Sequence, residues 1–287
     1  MDNRAEIREF LTSRRNRLRP AEAGLPVYGG NRRVPGLRRE EVALLAGVSV
    51  DYYIRCERGD LSGVSESVLH ALARALQLDE AETAHLFDLA RMATGSPIAR
   101  APRPRARSIR PTVQRVLDSI TEAPAVLSND TFDWVGANRL GRALFAPILD
   151  QAESNSARFM FLNPDAKVFY PDWDKVARDL VAAMRGVAGR NPYDKRFSDL
   201  VGELSTRSDE FRVMWASHNV RFHRSGVKRI QHAGVGLVEL SYDTLELPVD
   251  DGLQLSVFTA EPGSDSAQKL SLLGSWVAAE DVPFSTR

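Results

Sequence analysis

The 287-residue sequence has a single cysteine and no long hydrophobic run. Cys56 cannot form an intramolecular disulfide, which favours a reducing compartment. The longest apolar stretch, residues 42–48, is far shorter than the roughly 20 residues that cross a bilayer, so a membrane-spanning protein is excluded. The first residues are charged and lack the apolar core of a signal peptide, and we therefore expect a cytoplasmic protein.

Recognisable catalytic and metal-binding patterns are also missing. The sequence has no Gly-x-Ser-x-Gly element, phosphate-binding loop or dinucleotide fingerprint, and no pair of carboxylates stands out. His218, His223 and His232 match no standard zinc spacing and have no cysteine beside them. We therefore predict that the protein is not an enzyme and holds no metal and no cofactor.

The formal net charge is zero, but positive charge is concentrated in two places. Residues 1–58 carry twelve arginines against eight acidic residues, and residues 96–115 carry six arginines and no acidic residue. Such local surpluses occur where a protein meets a polyanion, although a solvated surface has the same composition. The charge distribution alone therefore favours a nucleic-acid-binding surface only slightly over an ordinary solvated one.

Helix and strand patterns divide the chain into two halves. Before residue 95, five helical patterns follow one another, with Ser49 and Asp79 as candidate N-caps. We predict an all-α domain at 1–95, an Arg/Pro-rich linker at 96–111, and an α+β domain with a small antiparallel sheet at 112–287. In that second half the helical patterns are 112–122, 172–187 and 194–209, and the strand patterns are Ala125–Leu127, Phe132–Ala137, Val235–Tyr242 and Leu253–Thr259.

The segment Arg38–Gly59 predicts a helix-turn-helix. Gly47-Val48-Ser49 would turn the chain between two short helices, and Tyr53 and Cys56 on the second helix would pack inward. A helix of this width fits the major groove of DNA, where each base pair shows a distinct pattern of donors and acceptors. The side chains expected to face outward are Val50, Asp51, Tyr52, Ile54, Arg55 and Arg58.

Three of the outward side chains are candidates for base contacts. Val50 suits a thymine methyl group, Asp51 a cytosine amino group and Arg55 a guanine. Arg39, at the start of the preceding helix, is expected to contact a phosphate. An ordinary helical hairpin shares the helix-glycine-helix pattern, but the ending Glu57-Arg58-Gly59 and two further helices favour DNA binding. The predicted DNA-binding residues are Arg38, Arg39, Ser49, Val50, Asp51, Tyr52, Arg55 and Arg58.

All four tryptophans lie in the second half of the chain. Large aromatic side chains usually fill a core, but around a pocket they would accept a long apolar ligand whose head is held by one polar group. Candidates for that polar group are Asn138, Arg185, Arg212 and His218, and each is also suited to a structural salt bridge or hydrogen bond. The predicted ligand-binding residues are Trp134, Asn138, Trp173, Arg185, Phe211, Trp215 and His218.

Residues 37–95 resemble the Xre/Cro-type helix-turn-helix regulators. The phrase Pro-Gly-Leu-Arg-Arg-Glu-Glu-Val-Ala-Leu-Leu-Ala-Gly-Val-Ser, at 35–49, resembles the MmyB-like transcription regulators in particular. The resemblance implies a PAS-like ligand-binding fold, homodimers, and a fatty acid or similar apolar metabolite as the effector. Where that family has His-Pro, this sequence has His232-Ala233. In the second half the resemblance is carried by Trp134–Asn138, Asp172-Trp173, Leu204–Phe211, Trp215–Val220 and Gly234–Leu240.

We therefore expect a homodimeric regulator of transcription that binds double-stranded DNA and no membrane, and whose second domain senses an apolar, fatty-acid-like molecule. Two alternatives remain open. In the first, the second domain is a dimerisation or partner-binding module without a ligand. In the second, it is an enzyme tethered to DNA.

Overall fold

The structure is a computed structural model, and it describes residues 3–25, 36–94, 109–190, 194–217, 225–247 and 252–280. The chain divides into two compact units. Unit 1 contains residues 1–100, 181–198 and 213–222, and unit 2 contains residues 101–180, 199–212 and 223–287. The domain boundaries after residues 95 and 111 stay a prediction, and most of the Arg/Pro-rich linker lies outside the described residues.

The N-terminal part of unit 1 is helical, as predicted. The cap Asp79 accepts a hydrogen bond from the Glu82 backbone N–H at 2.8 Å, and the Glu82 carboxylate accepts one from the Asp79 N–H at 3.1 Å. These reciprocal bonds satisfy donors that a helix leaves unpaired at its start, which is why the last of these helices begins there. The helices are α1 (Asn3–Arg17), α2 (Arg39–Ala46), α3 (Val50–Glu57), α4 (Glu66–Ala75) and α5 (Glu80–Ala93).

Helix α1 is held in this helical core by apolar packing and by a buried ion pair. Its side chains Ile7, Phe10 and Leu11 are completely buried. The Arg14 Nε lies 3.2 Å from a carboxylate oxygen of Glu82, and both side chains are at most 3% exposed. The contact joins α1 to α5, and the sequence patterns give no sign of it.

The rest of the chain is α+β, which confirms the predicted fold class. The five strands form one antiparallel sheet in the order β2-β1-β5-β4-β3. They are β1 (Ala125–Ser128), β2 (Trp134–Ala137), β3 (Ser225–His232), β4 (Gly236–Glu246) and β5 (Gln254–Thr259). The helices are α6 (Pro111–Ser119), α7 (Arg139–Leu144), α8 (Ala146–Leu149), α9 (Ser156–Leu162), α10 (Ala166–Phe169), α11 (Trp173–Arg190), α12 (Lys195–Arg207), α13 (Asp209–Ala216) and α14 (Asp265–Glu280).

One face of the sheet is buried. On β4 the side chains of Val238, Leu240 and Tyr242 are buried, while those between them are exposed, as expected for a strand with period two. Each pairs with a residue of β3 on the same face, and Leu240 lies opposite Lys228. The buried face of the sheet therefore includes a lysine.

Several elements of the second half differ from the prediction, and helices α7, α8, α9, α10 and α14 were not predicted. Strand β3 was not predicted, because its sequence Ser-Gly-Val-Lys-Arg-Ile-Gln-His lacks the apolar alternation of a half-buried strand. The single helix predicted at 194–209 is interrupted at Ser208, whose hydroxyl accepts a hydrogen bond from the Phe211 N–H at 3.1 Å and so starts α13. Within the described ranges, no helix is long and apolar enough to cross a membrane.

Candidate functional site

The turn between α2 and α3 is built by the two residues that the sequence points to. Gly47 ends α2 in the left-handed conformation, with φ of 66°. Ser49 caps α3, since its Oγ accepts a hydrogen bond from the Tyr52 N–H at 3.2 Å. The start of α3 is therefore fixed at Val50.

Helix α3 has a buried face and an exposed face. Tyr53 and Cys56 are completely buried, as predicted. Asp51 and Arg55 are exposed, and Val50 has an exposed fraction of 37%. The side chains proposed to contact bases thus lie on the exposed face of a helix whose opposite face is locked into the core.

A groove borders the exposed face of α3. Its volume is about 370 Å³. The Arg55 guanidinium lies 4.9 Å from the centre of the Tyr52 ring, and its Nε is 3.9 Å from Asp60 Oδ2. Because the Arg55 side chain is 45% exposed, it remains accessible to an external partner. The groove is lined by Arg4, Asp51, Ile54, Arg55, Arg58 and Asp60.

Glu57 is a buried carboxylate that the sequence analysis did not single out. Arg15 donates two hydrogen bonds to it at 2.9 Å, and Thr12 donates one at 3.2 Å. Arg39 donates two more, at 3.2 and 3.1 Å. Burial acts to raise the pKa of Glu57, but the bonds from Arg15 and Arg39 outweigh it and the pKa is lowered. Glu57 therefore joins α1, α2 and α3 through one negative charge.

Arg39 has a dual environment. Two of its N–H groups are held by Glu57, yet its side chain is 54% exposed. Its phosphate contact stays a prediction, and the ion pair with Glu57 fixes the direction from which it would approach DNA. Arg38 is also exposed, and its backbone N–H donates to the Glu41 carboxylate at 2.6 Å.

Gly59 completes the Glu-Arg-Gly ending of α3, which we call the reading helix because its exposed residues are predicted to contact bases. It has φ of 96°, and a Cβ at this position would lie 2.3 Å from the Arg4 carbonyl oxygen. No side chain fits between the two backbones. The glycine therefore allows α1 to pass directly behind the end of α3.

The Cys56 thiol lies on the buried face of the reading helix. Its burial raises its pKa to about 11. A thiol with so little thiolate at neutral pH is chemically inert, which argues against a redox switch in α3.

Asn138, predicted as a ligand contact, is fully used by the backbone. Its side-chain oxygen accepts from Ala125 and Gly141 at 2.9 and 2.7 Å, and its amide donates to the carbonyls of Ile120 and Ala123 at 2.6 and 2.7 Å. A side-chain amide offers two donors and two acceptor positions, so a ligand would have to displace one of these bonds.

Arg185 and Trp215, two further predicted ligand contacts, lie together in unit 1. The Arg185 side chain is 2% exposed, and its Nη1 lies 2.5 Å from Glu6 Oε1. Its other terminal nitrogen donates to the Trp215 carbonyl, and the guanidinium is 4.2 Å from the centre of the Trp215 ring. Arg185 is therefore engaged with protein groups on two sides.

The remaining predicted ligand contacts fall into two aromatic groups of unit 2. Trp173 and Phe211 both pack edge-on to Phe161, at ring distances of 5.9 and 5.0 Å. Trp134 packs edge-on to Phe145 at 5.0 Å. The predicted ligand contacts are therefore divided between the two units, and His218 lies outside the described residues.

In the described part of the chain, no three histidine, cysteine, aspartate or glutamate side chains are placed to hold a metal ion.

Comparison with known families agrees with both halves of this description. Residues 109–273 match the family model described as the MmyB-like transcription regulator ligand binding domain. Residues 6–86 match a model described as a helix-turn-helix domain. No curated protein matches the sequence.

Proposed function

Because the chain belongs to the MmyB-like transcription regulators, with a helix-turn-helix and a ligand-binding domain, we propose that it binds a specific DNA site as a homodimer and responds to an apolar, fatty-acid-like effector. The family is one of regulators and not of enzymes. We also propose that the protein is cytoplasmic, in keeping with its single cysteine.

The proposal that the protein binds DNA through α3 is supported mainly by the division of this helix into a buried and an exposed face. Tyr53, Cys56 and Glu57 anchor one face in the core, and Asp51 and Arg55 are exposed on the other. A capped helix with one free polar face is the element that helix-turn-helix proteins insert into the major groove. In a homodimer, two such helices would read half-sites about one helical turn apart.

The effector part of the proposal is supported by the family match and by the aromatic content of unit 2. Phe145 alone has ring contacts with Trp134, Phe169 and Phe258. Phe145, Phe169 and Phe258 are all buried, so a long apolar molecule would bind among these rings and not on an open surface. An effector alters DNA binding only if it binds two arrangements of the dimer with different affinity.

The DNA-binding part is tested with sites selected by the purified protein from random duplex DNA, followed by binding titrations at several salt concentrations. We expect Arg55→Ala to lose about 1–3 kcal/mol of discrimination at one base position. We expect Arg39→Ala to weaken all sequences alike and to lower the salt slope by about one unit. The control is Arg74→Ala, which removes an exposed arginine of α4.

Full site preference in Arg55→Ala would refute the assignment of the reading face. The alternative, in which the second domain is a dimerisation or partner-binding module without a ligand, is tested by mass spectrometry of the denatured protein. A co-purified apolar molecule supports effector sensing, and its repeated absence favours the module without a ligand.

A further inference from the structure

Lys228 occupies an unusual position on the buried face of the sheet. It lies opposite Leu240 and two residues before Ile230, both of which are completely buried. Neighbouring Arg229 points to the other face, where it pairs with Asp172 at 2.7 Å. The strand thus directs one cation outward to an acid and the other inward to apolar surroundings.

The inward ammonium rests on aromatic rings. Its Nζ lies 4.5 Å from the centre of the Tyr242 ring and 5.8 Å from that of Phe258. Gly226 leaves space for this arrangement, because a Cβ there would come within 3.1 Å of the Tyr242 hydroxyl. Cation–π contacts of this kind stabilise a charge but accept none of its three hydrogen bonds.

Lys228 has no conventional partner for its charge. Among the described residues it makes neither a hydrogen bond nor an ion pair, and Asp179 of α11 acts on it only through space. Burial lowers the pKa of Lys228 to about 8, and the charge of Asp179 partly opposes that shift. At neutral pH the group is thus a half-buried ammonium for which the described residues provide no hydrogen-bond acceptor.

The surroundings of the ammonium are apolar over a considerable distance. Phe258 packs on Phe145 at 4.8 Å, Phe145 lies 6.3 Å from Phe169, and Phe169 lies 4.8 Å from Tyr170. These rings form a continuous series that begins at the lysine. The rings are packed on one another, since Phe145 and Phe258 are only 0% and 2% exposed, so an apolar tail would have to enter between them. A cation at one end of such an aromatic cluster matches an amphiphile with an anionic head and an apolar tail.

We propose that Lys228 binds the carboxylate head of the effector, whose tail enters the aromatic cluster beside Phe258 and Phe145. This inference rests on the proposed effector function and assigns its polar contact. It differs from the contacts predicted from sequence, since Asn138 and Arg185 are already engaged with protein groups.

The test compares decanoate with decanol, which share a tail and differ in the head group, by calorimetric titration of the full-length protein at pH 6.5. We expect the wild type to bind decanoate at least tenfold more tightly than decanol. In Lys228→Met this preference is lost, while the affinity for decanol changes less than threefold. Lys175→Met, which removes an exposed lysine of α11, retains the preference.

The pH dependence supplies a second measurement. As the pH rises above about 8, decanoate affinity of the wild type should fall, because Lys228 loses its proton, while decanol affinity stays constant. Among the described residues, the titratable groups that face this ammonium are Asp179 and Tyr242. The pKa of Tyr242 is raised by burial, which moves its ionisation further above pH 8. Lys228→Met should show no such fall.

The two parts of the proposal fail differently. Equal binding of decanoate and decanol by the wild type, or a preference that survives in Lys228→Met, would overturn the role of Lys228 and leave apolar sensing intact. Binding of neither compound would overturn both. Lys228→Met should fold at least as stably as the wild type, because it replaces an unpaired charge by an apolar chain of similar length.

Discussion

Replacement of Glu57 by glutamine tests how the reading helix is held. The substitution keeps the size of the side chain but removes the negative charge that accepts five hydrogen bonds from Arg15, Arg39 and Thr12. Glutamine also turns an N–H₂ group toward guanidinium donors. Arg15, whose side chain is 9% exposed, is then left as a buried charge without its carboxylate. Breaking such a buried pair costs about 3–5 kcal/mol.

That loss is large against a typical unfolding free energy of about 5–15 kcal/mol. We expect urea unfolding, followed by circular dichroism at pH 7, to show it directly. The control is Glu40→Gln on α2, an exposed glutamate whose loss should change stability by less than about 0.5 kcal/mol. A loss below about 1 kcal/mol for Glu57→Gln would refute the view that this carboxylate organises the three helices.

The difference in unfolding free energy between the wild type and Glu57→Gln should depend on pH. The folded-state pKa of Glu57 is lowered from its usual value of 4.5, so its contribution to stability is fully present above that value. It is lost as the pH falls through the lower, folded-state pKa. The stability difference between wild type and Glu57→Gln should therefore be constant near neutrality and should shrink under acidic conditions; a constant difference down to pH 3 would contradict the assigned shift.

Two further predictions concern buried groups. Asn138→Ala should lower the free energy of unfolding by more than about 3 kcal/mol, because it removes an N-cap and leaves buried backbone groups unpaired. The control Asn163→Ala removes one exposed hydrogen bond and should lower it by less than about 1 kcal/mol. Equal unfolding midpoints for the two variants would contradict this prediction. With its pKa near 11, Cys56 should react with a disulfide reagent at pH 8 at least about 100-fold more slowly in the folded protein than in denaturant, and comparable rates would show that the thiol is accessible.

The helix-turn-helix could be predicted from sequence because its signals are local. Gly47, Ser49 and Asp79 act on residues within one turn of themselves, and the inward phase of Tyr53 and Cys56 follows from helical periodicity. Each of these signals depends on the residue type and its spacing. They can be recognised without any knowledge of tertiary contacts.

The contacts that were missed depend on distant parts of the chain. Glu57 meets Arg15 across 42 residues, and the position of Lys228 depends on the pairing of β3 with β4. Strand β3 itself was missed because a polar edge strand has no apolar alternation to reveal it. Arg185 was predicted as a ligand contact from its charge alone, and its pairing with Glu6 could be found only from three-dimensional structure.

The anchoring of Arg39 on Glu57 has a consequence for evolution and design at this position. Two N–H groups of the guanidinium are already committed, and its planar shape leaves the others pointing in a fixed direction. Part of the entropy that a free arginine would lose on meeting a phosphate is therefore lost when the protein folds. Lysine carries the same charge but lacks the planar fork, so Arg39→Lys is not a conservative exchange.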